Sequence, residues 1–445
     1  MWPRDGRAPA NGTVVVPTME AVVKIQGVLG VDAVPDSSDN WVQHVSLRTL
    51  GVLDTHFSDR GFQDSFNVYT ESGGIPHSTA VRISGAKDIM VSDCRFESLA
   101  GGGVSIAYGS RRVKVENSTF SRLGQSGVML IGNKTTQPTN CAVVDNHVEH
   151  VGMILFSAAG VYVSTGSDIA IVSNDISYSS RWGIAVRSEE TSYSPSYRNL
   201  IALNRVYHTG LATSDLGAIS VISWLGGPNV NTTIEYNCVR DVVGLSTDDG
   251  MIRSPYNARG LYLDNEASGY TVRGNVFRNM ATTGFFIHSG GNNTIENNIV
   301  FNATLVDDDG YGGQWSFSHY WGSWLNRSVH NVVNRNIVAY PDTGRSSDGG
   351  AVGCPSWGRC TSDLTFDSVD QNLYFQFGVN SSAWQKLSEL TPLGDWAAWQ
   401  AAGYDTNSLF ADPLFNDVES DLCLQDDSPA FDLGFEQPPT RACRC

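Results

Sequence analysis

Charged side chains are few in this sequence. Asp, Glu, Lys and Arg make up only 17% of its 445 residues, and positive charge is the scarcer sign, with 29 Lys and Arg against 46 Asp and Glu. The resulting net charge of −17 repels polyanions, which excludes nucleic acid as a partner. The one compact basic cluster, Arg111, Arg112 and Lys114, reads as a solvated strand edge. Long apolar runs are also missing. The longest, from about Met153 to Val163, is broken by Ser and Gly and is too short to cross a bilayer, so no membrane partner is expected. The opening Met1-Trp2-Pro3-Arg4-Asp5 lacks the apolar segment of a secretory signal. No C-x-x-C pair occurs among the eight cysteines, which argues against a zinc ribbon. Cys354 and Cys360 flank a short Pro/Gly loop that they could close, and Cys443 and Cys445 crowd the C-terminus.

What is present points one way. Hydrophobic residues reach 41%, enough for a sizeable core, and Gly numbers 45, about one residue in ten. Many Gly and Asn with few long charged side chains suit tight turns repeated along a solenoid. Eight N-x-[S/T] sequons, beginning at Asn11, Asn117, Asn133, Asn231, Asn292, Asn302, Asn326 and Asn380, suit a secreted glycoprotein.

A repeat of alternating apolar residues, then Asn, then an apolar residue two places on, recurs down the chain. Its copies centre on Asn146, Asn174, Asn204, Asn237, Asn275, Asn298 and Asn336, at spacings of 23 to 38 residues. Cys94 and Ser118 hold the position earlier, and Asn372 later. In a stack of parallel coils an inward Asn can satisfy turn amides and carbonyls while bonding the Asn of the next coil. The period-two alternation around it marks half-buried strands. The expected fold is therefore all-β, a right-handed parallel β-helix with an asparagine ladder.

A second strand in most coils opens on Gly or Ala, as in G-V-Y-V (160–163), G-I-A-V (183–186), A-I-S-V (218–221), G-L-Y-L (260–263) and G-F-F-I (284–287). The gap from the Asn position to this strand is 9 residues in the coils of Cys94, Ser118, Asn174 and Asn275. It grows to 14, 14 and 23 in those of Asn146, Asn204 and Asn237. Extra length at one fixed corner must emerge on one side of the stack, so loops 208–216, 241–259 and 302–314 are expected to wall a groove. The repeat stops near 385, dividing the chain into a β-helix (1–384) and a C-terminal capping segment (385–445) packed on the last coils. Within that segment Asp395 reads as the N-cap of a short helix that Gly403 ends.

The alternation of the second strands sets their chemistry. Outward positions of successive coils read Arg187, Ile222, Asp264 and His288 in one column, and Ala185, Ser220, Tyr262 and Phe286 in the other. Adjacent coils lie roughly 4.8 Å apart, so Asp264 and His288 should be neighbours beside an aromatic step. Sugar rings bind to aromatic faces flanked by hydrogen-bonding groups. Further acids gather at the same corner: Asp215, Asp248, Asp249, Glu266, and Asp307 to Asp309. Glycoside hydrolysis needs two carboxylates, and Asp264 with Asp215 or Glu266 would supply them. His288, Tyr262, Phe286 and Arg187 would then bind substrate. The alternatives are solvated acidic loops, or a Ca²⁺ site at the three consecutive Asp. No other metal and no cofactor is expected.

The runs G-L-Y-L-D-N-E-A-S-G-Y-T-V-R-G-N (260–275) and F-I-H-S-G-G-N-N-T-I-E-N-N-I (286–299) resemble a group of right-handed, pectin-lyase-like β-helix proteins. It includes glycoside hydrolases such as pectin-degrading α-L-fucosidases. Asp215-L-G-A-I resembles the group's D-G-G-A-I segment, with Leu216 in place of Gly, and the likeness extends from about residue 13 to segments 411–435. The resemblance implies a secreted monomer that cleaves a polysaccharide or oligosaccharide. It also implies sequence ahead of W-P-R-D-G (2–6), carrying a signal and the first coils. In the hydrolases a second catalytic Asp follows the N-N-I run, and 307–309 lie near that place here. The competing readings are a polysaccharide lyase or epimerase of the same architecture, which needs cations or Ca²⁺ against a uronate, and a non-catalytic carbohydrate-binding solenoid.

Overall fold

The computed structural model describes residues 19, 21–27, 41–56, 78–133, 136–187, 196–223, 230–247, 250–303, 313–318, 329–341, 351–353, 365–380, 382, 385 and 391–445. Among them, three long parallel sheets of 11, 11 and 12 strands run the length of the stack. Each coil contributes one strand to each sheet in turn: for example Ala159–Ser164 to the first, Ala170–Val172 to the second and Asp175–Ser179 to the third. The chain is a right-handed parallel β-helix. No helix among the described residues is long and apolar enough to cross a membrane.

Inward Val, Ile, Leu and Phe from all three sheets fill a continuous core along the stack. The polar thread through it is the asparagine ladder. Asn146, Asn174, Asn204, Asn237, Asn275, Asn298 and Asn336 are all buried. Each donates its Nδ2 to the Oδ1 of the next, at 2.9–3.2 Å, ending on Asn372. Each Nδ2 also bonds a carbonyl of the preceding coil, such as Asn237 to Ile201 O at 2.9 Å. Ser118 and Cys94 continue the thread toward the N-terminus: the Ser118 amide donates to Asn146 Oδ1, and the Cys94 amide to Ser118 Oγ. A shorter ladder that the sequence pattern did not reveal links Asn199 to Thr232, and Asn293 to Asn331, at the corner between the first and second sheets.

The residue before each ladder asparagine turns the chain from the second sheet to the third with a left-handed backbone: Leu203 at φ 58°, Tyr236 at 55° and Arg335 at 54°. Bulky residues avoid this region at a cost of about 1–3 kcal/mol each. The buried amide network fixes the turn against that cost, so the side chain there is free to vary.

At the C-terminal end the ladder stops on a buried acid. Asn372 Nδ2 donates to Asp405 Oδ1, and Trp399 Nε1 and the Tyr374 hydroxyl donate to Oδ2. Trp399 belongs to a helix, Trp396–Ala401, whose N-cap Asp395 accepts from the Ala398 amide. From Phe415 onward the chain is a strap that turns back along the outer face of the third sheet. Phe415, Leu422 and Phe435 pack on Val276, Ile299, Ile337 and Leu373. Disulfides Cys423–Cys443 and Cys238–Cys445 fasten it. The strap thus reaches well past the last coils, and the Arg441 guanidinium donates to Ser173 O. Cys94 and Cys141 are buried free thiols; Cys354 and Cys360 lie outside the described residues.

Burial raises the Asp405 carboxyl from an ordinary 3.8 to about 6, against the donors that hold it. A folded-state value above the unfolded one means that the folded chain keeps the proton longer. Its stability is therefore full below about pH 4 and declines as pH rises through 6. Comparing Asp405→Asn with the parent should isolate this slope, which amounts to roughly 2–3 kcal/mol across the window. Denaturant unfolding at pH 4 and pH 7 measures it; equal slopes in both proteins would refute the assignment.

Candidate active site

The outer face of the first sheet carries the expected columns in register. Tyr162 pairs with Ala185, Ala185 with Ser220, Ser220 with Tyr262 and Tyr262 with Phe286. Two residues along each strand, Ser164 pairs with Arg187, Arg187 with Ile222 and Ile222 with Asp264. Tyr162 and Tyr262 are thus three coils apart, roughly 14 Å, with only Ala185 and Ser220 between them. All four are buried, with Tyr162 at 2%, Ala185 at 0%, Ser220 at 8% and Tyr262 at 5% exposure, so the column is a packed wall and not an open slot. Gly217 lets the Tyr262 strand approach closely: a Cβ there would stand 2.7 Å from the Tyr262 Cβ.

Asp264 and His288 meet. His288 Nδ1 lies 2.8 Å from Asp264 Oδ1 and 3.4 Å from the Tyr262 hydroxyl. With its proton on Nδ1 the imidazole donates to the carboxylate and fixes its direction. Burial holds the Tyr262 hydroxyl well above its ordinary value, reinforced by the fields of Asp264 and Asp215, so it remains a phenol and a donor. Phe286 stacks on Tyr262 with ring centroids 5.3 Å apart. Its ring is 0% exposed. Contrary to expectation it offers no free face to a sugar, because Tyr262, His288 and the Arg259 guanidinium cover it.

Two arginines join the site that the columns of outward residues did not include. Arg259, one residue before the opening glycine, has its guanidinium 4.2 Å from the Tyr262 ring centroid and Nη1 3.4 Å from Asp215 Oδ1. Arg181 lies over the Trp182 ring and donates from Nη2 to Asp215 O. Burial lowers Arg181 to about 10, opposed by the fields of Asp215 and Asp264, so it stays cationic at neutral pH. Arg187 is buried against the same Trp182. Among the described residues at this corner, Arg181, Arg187 and Arg259 stand beside Asp215, Asp264 and Glu266. A signal for Arg259 was available, since the position before the small residue otherwise reads Gly102, Ser126, Ala159, Trp182, Gly217 and Thr283, with no other charge.

Asp215 and Asp264 face one patch from two sides, and both fields act on Tyr262 and on Arg181. Their side chains are 49% and 16% exposed, whereas Arg259 and His288 are 1% and 7%. The carboxylates are thus the accessible groups, and the rings and cations are the buried support. Glu266 lies beyond the strand in a left-handed turn (φ 67°), its amide bonded to His288 O. Loop segments 210–215, 243–247 and 250–257 rise at the corner between the third and first sheets, as does 152–158. Asp248, Asp249 and Asp307 to Asp309 lie outside the described residues. Among the described residues the one grouping of potential metal ligands, Asp421, Cys423 and Cys443, sits in the strap, where the two cysteines are bonded to each other.

The family described as "Right handed beta helix region" matches residues 79–250. No curated protein sequence matches the chain. Among solved structures, a glycoside hydrolase is similar at 15% identity and a TM-score of 0.49, over 66% of this chain and 52% of that one. The chain thus spans about half the length of that protein. The A-module of the mannuronan C-5 epimerase AlgE6 of Azotobacter vinelandii is similar at 12% identity and a TM-score of 0.40, over 65% and 67% of the two chains. The catalytic unit of an α-1,3-glucanase from Streptomyces thermodiastaticus is similar at 14% identity and a TM-score of 0.36, over 65% and 46%.

Proposed function

We propose that the protein is a carbohydrate-active enzyme, a glycoside hydrolase that binds a sugar unit over the outer face of the first sheet, at Asp264 and Asp215. The observation that carries this reading is the pair of accessible carboxylates, Asp264 and Asp215, whose fields meet at Tyr262 on a rigid sheet. Asp264, oriented by His288, is one reacting carboxylate. Asp215, held by Arg259, is its acid or base partner and ranks ahead of Glu266, which is 7% exposed. The Tyr262 hydroxyl donates to the bound sugar, and the reaction needs no cofactor. The two disulfides support a secreted, oxidising location.

One observation favours a second reading, a lyase or epimerase acting on a uronate: Arg181, Arg187 and Arg259 could neutralise a sugar carboxylate. Tyr262→Phe and Arg187→Leu separate the two. A hydrolase should retain turnover within about tenfold in both, because neither group is one of the reacting carboxylates. Loss of turnover in both by about a hundredfold or more, with Asp215→Asn still active, would establish the uronate chemistry instead.

A further inference from the structure

The corner between the second and third sheets lies on the far side of each coil from the first sheet, and the strap crosses it. Gly434 lies beside Arg335, the Glu436 amide donates to Asn297 Oδ1 at 3.1 Å, and Arg441 reaches Ser173. Between strap and corner is a cleft of about 710 Å³, lined among others by Tyr236, Arg273, Glu296, Arg335, Glu436 and Gln437.

Its floor is built for an aromatic ring. Gly274, at φ 62°, occupies the corner position of the next coil, and a Cβ there would stand 2.5 Å from Tyr236 Cδ1 and Cε1. The glycine lets the Cδ1–Cε1 edge of the Tyr236 ring press against the backbone, and the rest of this half-buried ring lines the cleft as a fixed platform. The surrounding groups alternate as donors and acceptors. Arg273 is already paired with Glu235 at 2.7 Å, and Arg335 with Glu296. An anion would find its cations engaged, whereas hydroxyls could bond guanidinium, carboxylate and amide alike. The strap is anchored beside the platform, because Cys445 is bonded to Cys238, two residues from Tyr236.

We propose that this cleft is a second carbohydrate site, which takes an uncharged stretch of glycan over Tyr236 while the carboxylates of the first sheet act on the same polymer. The inference rests on the reading that the substrate is a glycan, but its test does not require cleavage. The Asp264→Asn protein is titrated calorimetrically with xyloglucan, galactan and dextran, and with polygalacturonate as the charged counterpart. At least one neutral polymer should bind, and adding Tyr236→Ala should weaken it about tenfold. Cys445→Ser, which frees the strap, should do the same, as should Gln371→Ala at the cleft rim to a lesser degree. In the otherwise wild-type chain Tyr236→Ala should leave cleavage of a short oligosaccharide unchanged. Binding of every neutral polymer that survives both Tyr236→Ala and Cys445→Ser would overturn the proposal. So would a single class of sites abolished by Tyr262→Ala, or no neutral binding at all. A wild type that cleaves nothing yet loses binding with Tyr236→Ala would overturn the hydrolase reading and keep this one.

Discussion

Asp264→Asn should lower turnover on any glycan the wild type cleaves by roughly 10³–10⁴-fold, with KM little changed. The substitution keeps the shape of the side chain and an oxygen that can accept from His288 Nδ1, now 2.8 Å away. It removes the charge and the capacity to exchange a proton. The strand itself is held by backbone pairing with Leu216–Ile222, so the fold should be unaffected. Steady-state kinetics together with thermal unfolding measures both. Turnover within about tenfold of wild type would remove Asp264 from the chemistry.

Asn237→Ala should be the costliest single change to stability along the ladder, at about 3 kcal/mol. Its amide donates to Ile201 O and Asn275 Oδ1, and its own oxygen accepts from the Asn204 amide and Nδ2. Alanine leaves those groups buried in mid-stack with neither partner nor water, and the left-handed Tyr236 turn loses its brace. A contrasting variant is Asn302→Ala, whose part-buried amide bonds Asn279 and which should cost about 1 kcal/mol, because its left-handed backbone (φ 53°) suits Asn better than Ala. Urea unfolding of both gives the difference; similar midpoints would mean that the buried ladder is not what holds the turns.

The fold was legible because its two strongest signals are physical necessities of stacking. An inward Asn every coil and period-two alternation leave few other architectures, and the small residue opening each first-sheet strand fixes which residues share a column. The pairing of Asp264 with His288 followed from that column alone. Arg259 and Arg181 escaped because they precede the strand's regular alternation, where period-two reasoning assigns no face. The shorter ladder of Asn199 and Asn293 was hidden by variable spacing at its corner. The strap's path could not be read, since a disulfide between Cys238 and Cys445 spans 207 residues with no local signature. Burial of Phe286 was missed for a related reason: outward on a strand means exposed only where no neighbour, here Arg259, folds over the face.

The central claim is that the first-sheet face cleaves glycosidic bonds by hydrolysis. Its most direct test is to incubate the wild type, with Asp264→Asn in parallel, with a panel of neutral and acidic polysaccharides. New reducing ends and the ultraviolet absorbance of unsaturated uronate ends are followed together. New reducing ends from the wild type, none from Asp264→Asn and no unsaturated product is the predicted result. Reducing ends that rise with unsaturated uronate, or a wild type that binds a glycan and releases nothing, would contradict it.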